Sequence, residues 1–80
     1  LEKRQFTAYN GLIMDFKAIG KAVRERRKSR KILQADLADI AGISPRTLRD
    51  IEKGTANPEL ETLMKLCQAL GMEVRVEIIK

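Results

Sequence analysis

The chain has 80 residues, of which 44% are apolar and 34% charged, with a formal net charge of +5. That length makes one domain with a thin core, for which a second chain is a natural staple, and it leaves no room for a separate catalytic domain. The balance of apolar and charged residues excludes a disordered chain, and the apolar runs fall far short of the ~18 residues of a membrane span.

Residues 1–15 do not begin with Met and show no sustained period, so they are read as an arm or leader. They lack the basic start, long apolar stretch and small-residue cleavage site of a secretory signal. The lone Cys67 lies among Leu66, Ala69 and Leu70, which suits a small core hydrophobe and excludes an intrachain disulfide. A reducing, cytoplasmic setting is the simple expectation.

From Lys17 to Lys31 there are eight lysines and arginines against Glu25 alone. Lys17, Lys21, Arg24, Lys28 and Lys31 recur at spacings of four and three, which predicts one basic helix face. Such a face can neutralise phosphates, lie solvated on a surface, or rest on a membrane. The opposite stripe of Phe16, Ile19, Gly20 and Val23 carries little aromatic bulk and suits a protein core better than lipid. The stripe continues at Arg27, whose guanidinium is costly to bury unless a carboxylate meets it.

Gln34 to Gly54 reads QADLADIAGISPRTLRDIEKG. Leu37, Ala38 and Ala41 form the apolar side of a short helix, and Gly42 can take the left-handed conformation that ends it. Ser44 is placed to cap a second helix, with Pro45 at its first position, where no amide is needed. Leu48 and Ile51 supply the buried side of this helix. Arg46, Arg49, Asp50 and Lys53 form its exposed side. Two short helices joined by a tight turn, with small Ala38 permitting close approach, read as a helix-turn-helix.

Asn57-Pro58 repeats the cap-then-proline start and predicts a further helix with Leu60, Leu63, Met64, Cys67 and Leu70 facing the core until Gly71. Beyond Gly71 the period becomes two: Met72, Val74, Val76 and Ile78 on one side, Glu73, Arg75, Glu77 and Ile79 on the other. A lone strand exposes its edge, and the same strand of a second copy, antiparallel about a two-fold axis, is the natural partner. Charge opposition favours Arg75 facing Glu73 or Glu77, with Val74 or Val76 at the dyad. The competing partner is the chain's own arm, at Phe6–Tyr9 or Gly11–Met14.

The expected architecture is therefore mainly α: an arm over residues 1–15, four to five helices over 16–71, and one C-terminal β-strand over 72–80. That strand pairs across a dimer through Met72, Val74, Arg75, Val76 and Ile78. Catalysis is not expected, because there is no His, no phosphate-binding glycine loop and no metal-ligand spacing, and no cofactor is implied.

The residues Gln34, Leu37-Ala38, Gly42, Ile43-Ser44, Leu48 and Ile51-Glu52-Lys53-Gly54 closely resemble the helix-turn-helix pattern of the phage repressor and Cro-type (XRE-like) family over residues 16–71. The resemblance implies a buried ion pair between Arg27 and Glu52, Gln34 against a DNA phosphate, and Pro45, Arg46, Thr47, Arg49 and Asp50 at the major-groove floor. Ser44, Lys53, Arg24, Lys28 and Lys31 complete the expected phosphate set. An arginine can donate bidentately to guanine, so Arg46 and Arg49 are the natural base readers, whereas Pro45 offers only apolar contact. Asp50 departs from a cationic reading face and is expected to orient Arg46 or Arg49, or else to accept from a cytosine amino group. Lys31 stands where the family often has Gly, and Leu33 where it usually has a capping Ser or Thr.

The short domain ending in a single strand also resembles the HipB-like antitoxins, which implies dimerisation through that strand, repression of an operon and a toxin kinase as partner. The expected function is a double-stranded DNA-binding regulator, a dimeric repressor reading an inverted repeat. The alternative is an interaction module, antitoxin or adaptor, with DNA binding secondary. RNA binding ranks last, since A-form RNA hides its major groove and aromatic residues for stacking are few.

Overall fold

The computed structural model describes residues 16–76 and residue 78. Four helices follow in order: α1 Phe16–Ser29, α2 Gln34–Ala41, α3 Pro45–Lys53 and α4 Leu60–Leu70. The expected arm at 1–15, with its Phe6–Tyr9 and Gly11–Met14 segments, lies outside the described residues, as do Glu77 and Ile79.

The core joins all four helices through Val23, Leu37, Ala38, Ala41, Leu48, Ile51, Leu66 and Leu70. α1 packs chiefly along α3, while α2 lies between α3 and α4. At the α1–α3 crossing Gly20 has no side chain to spare: a Cβ there would lie 2.8 Å from the Glu52 carbonyl oxygen. A methyl cannot fit at that distance without parting the helices.

The helix-turn-helix forms as its local signals require. Gly42 ends α2 in the left-handed region at φ 72°, where a side chain would cost roughly 1–2 kcal/mol. Ser44 caps α3, its hydroxyl oxygen accepting from the Thr47 amide at 3.0 Å. α2 has no equivalent: Leu33 stands at its N-cap without a side-chain hydrogen bond, as its apolar side chain dictates.

Three expectations are corrected. Lys31 is not on the basic helix face, because α1 ends at Ser29 and Lys31 turns the chain at φ 58°, the left-handed position that a glycine would occupy without strain. The fourth helix starts at Leu60 with Glu59 as N-cap, two residues after Pro58. Its core face agrees with the expected one at Cys67 and Leu70, which are buried, but Leu66 is fully buried as well, whereas Leu60 and Met64 are exposed. Leu66 and Leu70 enter the core and Leu63 is half-buried, which leaves the Leu60–Met64 edge outside.

Residues 72–76 and 78 form no strand among the described residues, so the architecture is four helices without a sheet. A strand needs a neighbour to complete a hydrogen-bonded ladder, and none stands beside this segment among the described residues. Met72 packs against the domain's own core, whereas Val74, Arg75, Val76 and Ile78 are exposed. Among the described residues no helix is long and apolar enough to cross a membrane.

Candidate nucleic-acid interface

The orientation of α3 is set from below by a charge network. Arg27 Nε donates to Glu52 Oε2 at 2.7 Å and Nη2 donates to Oε1 at 3.1 Å, a two-bond fork. Its remaining nitrogen, Nη1, donates to the Ile32 carbonyl at 2.9 Å, fastening the chain between α1 and α2. The side chains of Arg27 and Glu52 are only 10% and 2% exposed, so each charge depends on the other for compensation.

Gln34 enters the same network, its Nε2 donating to Glu52 Oε1 at 3.0 Å. Gln34 thus joins the first residue of α2 to the last turn of α3 and is a positioning residue as well as a candidate phosphate contact. Its second amide hydrogen remains available to an outside acceptor.

Above this network α3 presents Pro45, Arg46, Thr47 and Arg49 as exposed residues, with Asp50 half-buried beside them. Ser44 spends its hydroxyl on the cap and on Thr47 Oγ1, to which it donates at 2.9 Å. Thr47 therefore keeps its own hydroxyl proton for an outside acceptor.

Arg24, Gln34, Arg49 and Lys53 line one depression of about 350 Å³ together with Glu52, so three helices converge there with three cations. Spacing alone places Arg24 on the basic face; its meeting with Arg49 and Lys53 is a product of the α1–α3 crossing. Lys28 is exposed one turn further along α1, and Lys31 is exposed in the turn that follows.

The expected ion pair between Asp50 and a neighbouring arginine is not formed. Among the described residues the ion pairs are Lys21–Glu25, Arg27–Glu52, Lys65–Glu61 and Arg75–Glu73, and none involves Asp50. Its backbone carbonyl instead accepts from the Thr55 amide at 3.0 Å and the Thr55 hydroxyl at 3.2 Å.

Two basic residues, Arg26 of α1 and Arg30 just beyond its end, have a structural task that spacing did not reveal. Arg26 Nε donates to the Leu70 carbonyl at 2.7 Å and Arg30 Nη1 to the same oxygen at 3.4 Å. They satisfy the negative end of α4 and are not part of the convergent cation group.

No group of three or more His, Cys, Asp or Glu among the described residues comes together to hold a metal ion. Burial pushes the Cys67 thiol above its ordinary value, against the thiolate a nucleophile needs.

Two short helices at a tight turn, the second locked from beneath and cationic outside, define a helix-turn-helix domain, a unit that sets its second helix in the DNA major groove. The chain belongs to the helix-turn-helix family, whose model matches residues 23–76. It is 41% identical over 56 residues to the immunity repressor protein of Bacillus phage phi105, covering 70% of this chain and 39% of that protein. It is 39% identical over 57 residues to multiprotein-bridging factor 1 of Debaryomyces hansenii, covering 71% of this chain and 38% of that protein. The chain thus spans about two fifths of the length of these curated relatives. The crystal structure of the clp gene regulator ClgR from Corynebacterium glutamicum superposes with a TM-score of 0.72 at 31% identity, covering 78% of this chain and 80% of that one.

Proposed function

We propose that this domain is a transcriptional regulator that binds double-stranded DNA by laying α3 in the major groove, and that it acts as a homodimeric repressor over an inverted repeat. The observation that carries this reading is the α3 surface, where exposed Pro45, Arg46, Thr47 and Arg49 stand above a buried Arg27–Glu52 lock. Arg46 and Arg49 supply base contacts. Arg24, Gln34, Lys28, Lys31, Lys53 and the Ser44 cap region supply backbone contacts, which position the protein without reading sequence. The phage immunity repressor among the relatives is in keeping with the repressor role.

Dimerisation through residues 72–80 places two α3 helices one helical turn of DNA apart. Sedimentation of the full chain beside one lacking residues 1–13 tests this. Strand self-pairing predicts a dimer in both, and pairing to the arm predicts loss of the paired tail on deletion.

Selection of bound duplexes from a random pool, repeated with Arg46→Ala/Arg49→Ala, tests the reading as a whole. Recovery of an inverted repeat with roughly one-turn spacing, lost in the double variant, supports it. Salt-labile binding with no preferred sequence overturns it.

A second reading, an antitoxin or adaptor whose main partner is a protein such as a toxin kinase, is favoured by the exposed apolar set Leu60, Met64, Val74, Val76 and Ile78. A stoichiometric partner that copurifies and is lost on mutating α4 or the tail supports that reading. The relative named as a multiprotein-bridging factor is in keeping with it.

A further inference from the structure

We infer that Arg26, seconded by Arg30, is a positioning residue that fixes the direction in which the C-terminal tail leaves the domain, and so sets which half-site spacing the dimer accepts. The inference rests on the tail-mediated dimer proposed above and concerns how that dimer measures its operator.

The tail leaves α4 at a joint that is soft by itself. Gly71 stands there in the left-handed region at φ 70°, and glycine has the widest backbone freedom of any residue. Its amide reaches the Gln68 carbonyl only at 3.4 Å, while the Met72 amide meets the Cys67 carbonyl at 2.8 Å. Beyond Met72, which packs on the core, the described tail residues are exposed.

This joint is gripped from α1. The Leu70 carbonyl, in the peptide that enters Gly71, accepts from Arg26 Nε at 2.7 Å and Arg30 Nη1 at 3.4 Å. The same guanidiniums close over the glycine: a Cβ on Gly71 would stand 3.1 Å from Arg30 Nη1 and 3.2 Å from Arg26 Nη2. One cation suffices to complement a helix C-terminus. Two planar, rigid donors on one carbonyl and above its glycine constrain direction as well as charge.

The grip is continuous with the reading helix. Arg27, the next residue, holds Glu52 of α3 through two hydrogen bonds, so one turn of α1 ties the root of the tail to the end of α3. With helices packed 8–10 Å apart, α3 lies roughly 15 Å from the joint. Over that arm a swing of about 13° displaces α3 by about 3.4 Å, the rise of one base pair. A dimer joined at its tails therefore keeps a defined half-site spacing only if this joint is stiff.

The test uses the full chain, Arg26→Met/Arg30→Met, which keeps the apolar stems and removes the donors, and Arg26→Met alone. Circular dichroism and sedimentation first establish helicity and oligomeric state. Affinity is then measured on duplexes carrying the selected half-sites at the preferred spacing and at one or two base pairs more or less. Comparing spacings within one variant cancels any uniform loss from the missing cations. The wild type should lose about tenfold or more for a change of one base pair, since a stiff dimer must deform the duplex to fit. The double variant should bind all these spacings within about threefold, because the joint then yields in place of the DNA. Its half-site base preferences should stay those of the wild type, as α3 is untouched. Arg26→Met alone should fall between the two, and it decides the matter if the double variant does not fold. A wild-type spacing profile in the variants overturns the role of Arg26 while the dimeric reading stands. Variants that sediment as monomers also overturn it, since the arginines would then serve assembly and not direction. A wild type indifferent to spacing removes the dimeric reading and this inference together.

Discussion

Glu52→Gln tests what the buried network contributes. The substitution keeps shape and volume and leaves a carbonyl oxygen for Gln34 or Arg27, so no cavity term enters. What is lost is the negative charge facing Arg27, whose side chain is 10% exposed and makes both its carboxylate bonds to Glu52 at 2.7 and 3.1 Å. Removing one partner of a buried pair costs about 3–5 kcal/mol, and retention of one acceptor places this variant near 3. A domain of this length has a total stability on the order of 4–12 kcal/mol, so a large share is at stake. Urea unfolding followed by far-ultraviolet circular dichroism is the assay. With a slope near ~1 kcal/mol per molar, the midpoint should fall by roughly 3 M without a change of slope. Arg27→Met should cost a similar amount, and the double variant Arg27→Met/Glu52→Gln much less than the two together, since no bare charge remains. A midpoint within about 0.5 M of wild type for Glu52→Gln would refute the assignment of the pair as a lock on α3.

Other outcomes follow from particular residues. Lys31→Gly should stabilise the fold by up to about 1 kcal/mol, because the gain at φ 58° exceeds the added freedom of the unfolded chain; a lower urea midpoint would contradict it. Gly20→Ala should destabilise by about 3 kcal/mol or more, since the added methyl meets the backbone of α3 rather than a side chain that can turn aside; thermal melting reads this directly. In DNA titrations over a range of salt, Lys28→Ala should weaken all sequences alike and reduce the salt slope by about one. Arg46→Ala should instead reduce discrimination at one base position. Equal profiles for these two variants would place both residues on the backbone.

The α2–turn–α3 unit is legible in the sequence because its signals are local and of different kinds: an apolar period, a left-handed glycine at Gly42, and a serine cap followed by Pro45. Arg27 announced itself by interrupting an apolar stripe, and family resemblance supplied Glu52 as its partner. The burial of Leu66 in place of Leu60 and Met64 was not legible, because α4 carries apolar residues around more than one face. Spacing alone cannot say which face a neighbour will cover. Arg26 and Arg30 read as surface charge until the end of α4 arrived beside them, and the convergence of Arg24 with Arg49 and Lys53 likewise needs the crossing angle. The unpaired state of Asp50 depends on rotamers, which no spacing rule encodes. The tail has the alternation of a strand, but a strand needs a neighbour, and none stands beside it among the described residues.

The arginines that fasten the far ends of two helices are consecutive in the chain: Arg26 holds the last carbonyl of α4 and Arg27 the last turn of α3. Neighbouring residues on a helix point about 100° apart, which lets one turn of α1 serve two clients. Losing or gaining a single residue between Gly20 and Arg26 would swing both guanidiniums by that angle against the Gly20 crossing, breaking two anchors at once. Length variation among homologues should therefore be absent from this turn of α1 and tolerated in the connection at residues 55–59, where no such double anchor exists among the described residues. α1 is in this respect the ruler of the domain, its phase fixing where α3 and α4 are held at their ends.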